Sequence, residues 1–259
     1  MPRTTAGTRT TAGTRQLVRG FGTCLNFNGS TSSINVGTFG AFCSTLSAGT
    51  VTISSWFKIT DNGARQAIIG EVDTGFSLII QLLLNSANTG GGGYLKGGVF
   101  VEIRDSTSKN YAFANTTVYR FNDGLWHHIA VVATPSTNTG LIYIDGVSQA
   151  VTATATNSPN SFSSFGFPVY LGGRNLRGVL DLPFKGLLDD LRFYQSGLTA
   201  TQIASMYYTG SGDPTKFSWY KLDEGSGSSA TDSGSGGNTG TITAATYSTD
   251  VFMKTRTVA

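Results

Sequence analysis

The sequence predicts an all-β fold, a two-sheet antiparallel jelly-roll sandwich with one short helix, preceded by a basic N-terminal arm. Three observations carry this. Short runs of β-branched and aromatic residues recur along most of the chain. Turn-forming residues separate them, with 34 Gly among 259 residues. Apolar residues make up 39% and aromatics 11%, enough for a packed core, while charged residues reach only 13%. A chain of this length can fold as one large sandwich.

The elements follow in order. Cys24–Asn28, Ser33–Val36 and Thr50–Ile59 alternate or carry β-branched and aromatic residues. Gln66–Gly70 and Phe76–Leu84 come next, then a flexible loop at Gly90–Gly93. Gly98–Arg104, Tyr111–Ala114, Trp126–Thr134 and Leu141–Asp145 follow, and Asp145-Gly146 makes a tight turn. Val147–Thr154, Val169–Gly172 and Phe184–Tyr194 continue the series. Thr199-Ala-Thr-Gln202 has capping-box spacing, and Ile203, Met206 and Tyr207 recur on one face. That pattern predicts a short helix, ended by Asp213-Pro214. Phe217–Leu222 is a further strand, Glu224–Gly240 a Gly/Ser-rich loop and Thr241–Tyr247 a last weak strand. The total is roughly twelve to fourteen strands.

Residues 3–14 are a hexapeptide, Arg-Thr-Thr-Ala-Gly-Thr, repeated twice and followed by Arg15. Such a segment cannot bury a core. Net charge is +3, and Arg3, Arg9, Arg15, Arg19 and Lys58 all precede the first acidic residue, Asp61. The basic character therefore sits in the arm. The expected organisation is an arm over 1–20, a jelly roll over 21–251 and a tail over 252–259. No stretch approaches the roughly 18 apolar residues of a spanning helix, so no membrane insertion is expected. The N-terminus carries no apolar run of secretory type. Cys24 and Cys43 do not make a disulfide framework. They read most simply as two buried thiols, although a fold that brings them together would let them pair.

Several segments, in order, resemble the laminin-G-like jelly rolls of the concanavalin A-like lectin superfamily found in bacterial and phage surface proteins. They begin with Leu25-Asn-Phe-Asn-Gly29, Ile34-Asn-Val36 and Thr52-Ile-Ser-Ser-Trp-Phe57. Asp123-Gly-Leu-Trp-His-His-Ile-Ala130 is the most recognisable, and Ile142-Tyr-Ile-Asp-Gly146 follows it. Leu171-Gly-Gly-Arg174, Phe184–Tyr194 and Leu198–Tyr207 resemble the closing strand and helix. The order departs from the family's at the end. Trp219–Gly227 with Ala230-Thr-Asp232 looks like a segment that usually precedes the opening strand. The resemblance therefore implies that 217–251 is circularly permuted onto its own sheet, or else exchanged with a neighbouring subunit.

No residue set points to catalysis. Trp126, His127 and His128 sit together, but alternation puts His127 on the opposite face, and the resemblance makes Trp126 a core residue. Glucan hydrolysis needs two carboxylates flanking a glycosidic bond. The only near-match to the superfamily's acidic strand is Glu71-Val-Asp73, and the third acid is absent. Asp189-Asp190 and Asp223-Glu224 are adjacent pairs whose side chains diverge on a strand. The resemblance implies a structural calcium ion near Asn28 and Asp189, although Asn stands at 28 where relatives often have Asp. The alternative is that Asp189 and Asp190 pair with Arg192 or cap a turn. Tyr94, Tyr111, Tyr119 and Phe121, with Phe162, Phe165 and Phe167, read as rim aromatics for a sugar or a protein partner.

The function expected from this reading is non-enzymatic. It is a virion surface or decoration protein, of a phage, that docks on capsid or other virion proteins through Arg3, Arg9, Arg15 and Arg19, displays the jelly roll and forms a homo-oligomer. The alternative is a carbohydrate-binding adhesin module at a bacterial cell surface. The arm's arginine density is modest and no nucleic-acid fold accompanies it, which argues against a nucleic-acid partner.

Overall fold

The computed structural model describes residues 15–19, 22–60, 63–73, 79–85, 97–115, 121–162, 167–210 and 214–257. The elements run β1 Arg15–Arg19, β2 Cys24–Asn28, β3 Ser33–Asn35, α1 Gly40–Ala48, β4 Val51–Thr60, β5 Arg65–Val72 and β6 Ile79–Asn85. They continue with β7 Gly98–Arg104, β8 Asn110–Asn115, β9 Asp123–Thr134, β10 Thr139–Ile144, β11 Val147–Gln149 and β12 Val151–Thr156. Next come β13 Tyr170–Leu171, β14 Arg174–Leu176, β15 Val179–Asp181, β16 Lys185–Tyr194 and α2 Ala200–Thr209. The chain closes with β17 Ser218–Tyr220, β18 Ser229–Ala230, β19 Gly240–Thr243, β20 Thr246–Ser248 and β21 Met253–Thr257.

Two antiparallel sheets form the sandwich. The first has the order β11-β10-β9-β4-β16-β2-β20, with β17 on β16. The second runs β12-β8-β7-β6-β5-β13-β3-β19-β18, with the β14–β15 hairpin on β5. Alternation decides which side chains meet between them. Leu25 and Phe27 of β2 point inward while Asn26 and Asn28 are exposed. Ile80, Leu82 and Leu84 of β6 meet Val99, Val101 and Ile103 of β7 in the same core. Aromatic rings fill the space edge to face, with Phe27 against Phe184 at 5.9 Å and 89°. Gly172 is required there: its φ is +75°, and a Cβ would collide with the Phe27 ring.

The first sheet is covered on its outer face as well. Ile203 and Met206 of α2 pack on Ala130, Val132, Tyr143 and Tyr194. The capping box forms, with Gln202 N–H donating to Thr199 Oγ1 (3.3 Å) and Thr199 N–H donating to Gln202 Oε1 (2.9 Å). Gly210, in the left-handed region, ends the helix before Asp213-Pro214 is reached. Phe252 stacks on Trp56 at 4.0 Å and 7°. Asp250 ties the same segment down through Lys58 Nζ (2.6 Å) and Trp126 Nε1 (3.3 Å).

The segment 217–251 lies in both sheets of this chain. β17 pairs with β16, β19 with β3 and β20 with β2. Asp232 organises it: Oδ1 accepts from the N–H of Trp219 and of Gly234, and Oδ2 from Asn238 N–H, each at 2.8 Å. β1 pairs with β21 in a separate two-stranded ribbon, from Arg15 opposite Thr257 to Arg19 opposite Met253. Helix α1 fell outside the expected elements, and it packs Phe42, Cys43 and Leu46 into the core beside Phe193 and Phe217. Cys24 and Cys43 are both buried thiols and are not bonded to each other.

Candidate functional site

Where the outer face of the first sheet is covered, that of the second carries polar side chains. The alternation that sends Ile80 and Leu82 inward sends Gln81 outward. Register places Gly70, Gln81, Glu102 and Ala112 opposite one another across β5, β6, β7 and β8. Glu102 is the hub of this row. Its Oε2 accepts from Gln81 Nε2 (2.6 Å), and its Oε1 accepts from Asn110 Nδ2 (2.9 Å) and Arg104 Nη2 (3.3 Å).

Arg174 extends the row onto the β14–β15 hairpin. A Cβ at Gly70 would lie 2.9 Å from Arg174 Cβ, so only glycine lets this side chain lie across the sheet. From there Arg174 Nη1 donates to Gln81 Oε1 (2.9 Å), and Nε (3.1 Å) and Nη2 both donate to Asp181 Oδ2. The side chains of Glu102, Arg104, Arg174 and Asp181 are 13%, 27%, 19% and 34% exposed. The strip is thus fixed by mutual hydrogen bonds, with its charged side chains partly exposed. A second, apolar row of Ala67, Leu83, Phe100 and Ala114 runs beside it.

The strip is not where the rim aromatics were expected. Tyr111, Phe121 and Phe162 are corrected to core residues, at 2%, 0% and 7% exposure. Tyr111 stacks on Phe113 and Phe121 packs edge to face on Phe57. Inward alternation explains Tyr111, and no spacing rule announces the burial of a loop aromatic. Phe167 is half-buried, and its N–H donates to Glu71 Oε1 (3.2 Å). Tyr94, Tyr119 and Phe165 lie outside the described residues, as do Arg3 and Arg9. Arg15 and Arg19 bound strand β1.

The proposed calcium ligands do not converge. Asn28 opposes Lys185 in register, so Asp189 lies about 13 Å further along β16 at ~3.3 Å per residue. Asn28 Oδ1 is occupied by the backbone N–H groups of Ser30 (2.8 Å), Thr31 (2.9 Å) and Ser32 (3.3 Å). It caps a turn. Asp189 is fully buried opposite Trp56, and neither carboxylate oxygen has a hydrogen-bond partner. Burial, reinforced by the Asp190 charge, pushes its pKa up to about 9. Among the described residues no three His, Cys, Asp or Glu are placed to hold a metal ion. The pair that forms is Asp190 with Arg192 Nε (2.7 Å) and Nη2 (2.6 Å), joined by Trp219 Nε1 (2.7 Å).

Trp126 and His128 do share a face, but it is the outer one. Trp126 packs, partly buried, against Trp56 and Phe252 and not in the inter-sheet core. His127 bridges Asp145 through Nδ1 (2.9 Å) and Asp123 through Nε2 (3.2 Å). Burial lowers its pKa, but the hydrogen bonds and charge of Asp145 and then Asp123 outweigh this and hold it above the usual value. Glu71 is buried, its Oε2 unpartnered, and burial pushes its pKa up to about 8.

Comparison with known proteins bears on this geometry. Residues 28–204 match the family described as the concanavalin A-like lectin/glucanases superfamily. A putative carbohydrate binding protein from Bacteroides ovatus superimposes with a TM-score of 0.58 at 20% identity, covering 92% of this chain and 61% of that one. The Ruminococcus gnavus IT-sialidase CBM40 bound to α2,3-sialyllactose gives 0.54 at 17%, covering 73% and 97%. A heptameric SAP-like pentraxin from Limulus polyphemus gives 0.50 at 15%, covering 71% and 81%. At such identities the likeness is one of fold. No curated protein matches the sequence. With the family match spanning most of the chain and the sandwich built as described, this chain belongs to the concanavalin A-like lectin/glucanases superfamily.

Proposed function

We propose that the chain is a non-catalytic carbohydrate-binding jelly roll acting at a cell surface or outside the cell. The observation that carries this is the strip of Gln81, Glu102, Arg104, Asn110, Arg174 and Asp181 on the outer face of the second sheet. Planar amides, guanidiniums and carboxylates held rigidly at partial exposure suit the paired hydroxyls of a sugar ring. Two of the superimposable structures are themselves described as carbohydrate binding or bound to an oligosaccharide.

A glycosidase would need one carboxyl held protonated beside the scissile bond. Among the described residues the two carboxyls driven upward, Asp189 and Glu71, are fully buried, one opposite Trp56 on the first sheet and one hydrogen-bonded to the Phe167 N–H. The comparisons lend support to the carbohydrate-binding reading and none to virion decoration, capsid docking or a homo-oligomer.

A glycan array followed by titration calorimetry tests the proposal. Glu102→Gln keeps the shape of the hub and removes its charge, and it should weaken the best ligand by about tenfold or more. Unaltered affinity in a variant that melts like the parent would remove the strip from the binding surface.

A further inference from the structure

The strip also selects the charge of its ligand. We infer that it takes neutral sugar residues and rejects sugars bearing a carboxylate, an inference that rests on the strip being the glycan surface proposed above. Both guanidiniums of the strip are already engaged by its own carboxylates. Arg174 places Nε and Nη2 on Asp181 Oδ2, and Arg104 places Nη2 on Glu102 Oε1. Two cations and two anions cancel within the row. A sugar carboxylate only accepts hydrogen bonds. To take the Nε and Nη2 edge of Arg174 it would have to displace Asp181, leaving that side chain partly buried without its cation, and at Arg104 it would be set against the charge of Glu102.

The hydrogen-bonding capacity left over is of the kind that hydroxyls satisfy. Gln81, 4% exposed, is committed at both ends of its amide, to Glu102 and to Arg174. Both bonds to Asp181 fall on Oδ2, so Oδ1 remains as an acceptor on a side chain that is 34% exposed. Asn110 donates to Glu102, while its Oδ1 is buried with no partner. On Asp181, the exposed end of the strip, the surplus is an acceptor, and a ligand seated there must therefore bring donors. Sugar hydroxyls do so; a carboxylate adds a further acceptor and a further negative charge.

The test prints the full chain against paired oligosaccharides, each neutral member beside its sialylated and its uronate counterpart. Retention should fall on the neutral members, by about tenfold or more over the acidic ones. Asp181→Asn leaves Arg174 without its anion, and the acidic members should then gain about tenfold. Should that variant melt early, Glu102→Gln makes the same test at Arg104. Preference of the parent chain for acidic glycans, abolished by Arg174→Ala, overturns the inference while the glycan-binding reading stands. An unchanged ranking in a folded Asp181→Asn overturns the compensation argument. A parent chain that melts cooperatively and retains no glycan overturns the reading itself.

Discussion

The outer faces of the two sheets have opposite fates. That of the first is closed by α2 and by the chain's own C-terminal segment, with Trp56 stacked between Phe252 and Tyr207 at 4.0 and 5.5 Å. That of the second carries partly exposed polar side chains fixed to one another. The same alternation generates both. Ser54, Trp56 and His128 on the first sheet and Gln81, Glu102 and Arg104 on the second are all outward residues of antiparallel strands. What differs is the chemistry of the outward side chains, aromatic stacking on the first face and a charged hydrogen-bonded row on the second. A face closed by packed aromatic rings contributes to stability, and a face whose charged side chains stay partly exposed offers groups to a ligand. Substitutions on the first face should therefore change melting and leave binding alone, and those on the second should do the reverse.

The largest effect should come from the aromatic stack. Trp56 is 4% and Phe252 3% exposed. Trp56→Ala removes the middle of the stack and should cost about 3–5 kcal/mol of folding stability. Denaturant unfolding checks this, and glycan affinity measured well below the new melting temperature should match the parent's. Loss of affinity there would join the two faces in one function.

A smaller effect should come from Asp189, opposite Trp56 on the same face. Its folded pKa, about 9, stands above its unfolded value. The neutral form is thus the one the fold prefers. Stability is fully present below the unfolded pKa, near 4, and is lost as pH rises through the folded pKa near 9. Asp189→Asn, isosteric and always neutral, should remove this slope and stabilise the chain by about 1–3 kcal/mol at the alkaline end. Thermal melts from pH 4 to pH 9 would show the two curves meeting at the acid end and parting as pH rises. Parallel curves would place the carboxylate in contact with solvent.

This contrast was only partly legible in the sequence. Continuous strands such as Gly98–Arg104 were read to the residue, because turn chemistry flanks a β-branched run. Helix α1 was not read, although Phe39, Phe42, Cys43 and Leu46 have helical spacing. Gly, Ser and Thr around them look like loop composition, and tertiary burial of that one stripe decides the matter. The strip was missed for a different reason. Its members come from β6, β7, β8, β14 and β15, and no local window holds them together. A signal existed in two places: Gln81 and Glu102 are lone polar residues inside Ile79–Leu84 and Val99–Ile103. In a buried strand an outward polar residue asks for a partner, and these two are partners of each other. The aromatic residues proposed in their place misled because ring size predicts burial more strongly than contact.

The smallest effect on stability should be the most informative about function. Arg174 lies across Gly70 and bridges Gln81 to Asp181, with side chains that are 19% exposed on the arginine and 34% on the aspartate. A pair that open to water contributes little to folding, so Arg174→Ala should cost no more than about 1 kcal/mol in urea unfolding. Its consequences for the strip are larger. Asp181 loses the Arg174 guanidinium, Gln81 Oε1 loses its donor, and the fixed orientation of the Gln81 amide toward Glu102 loosens. Affinity for a neutral glycan should fall by about tenfold or more while the melting temperature barely moves. Were the two to fall together, Arg174 would be a staple between the β14–β15 hairpin and the sheet, and the second face would have to be reassigned from ligand binding to the same structural role as the first.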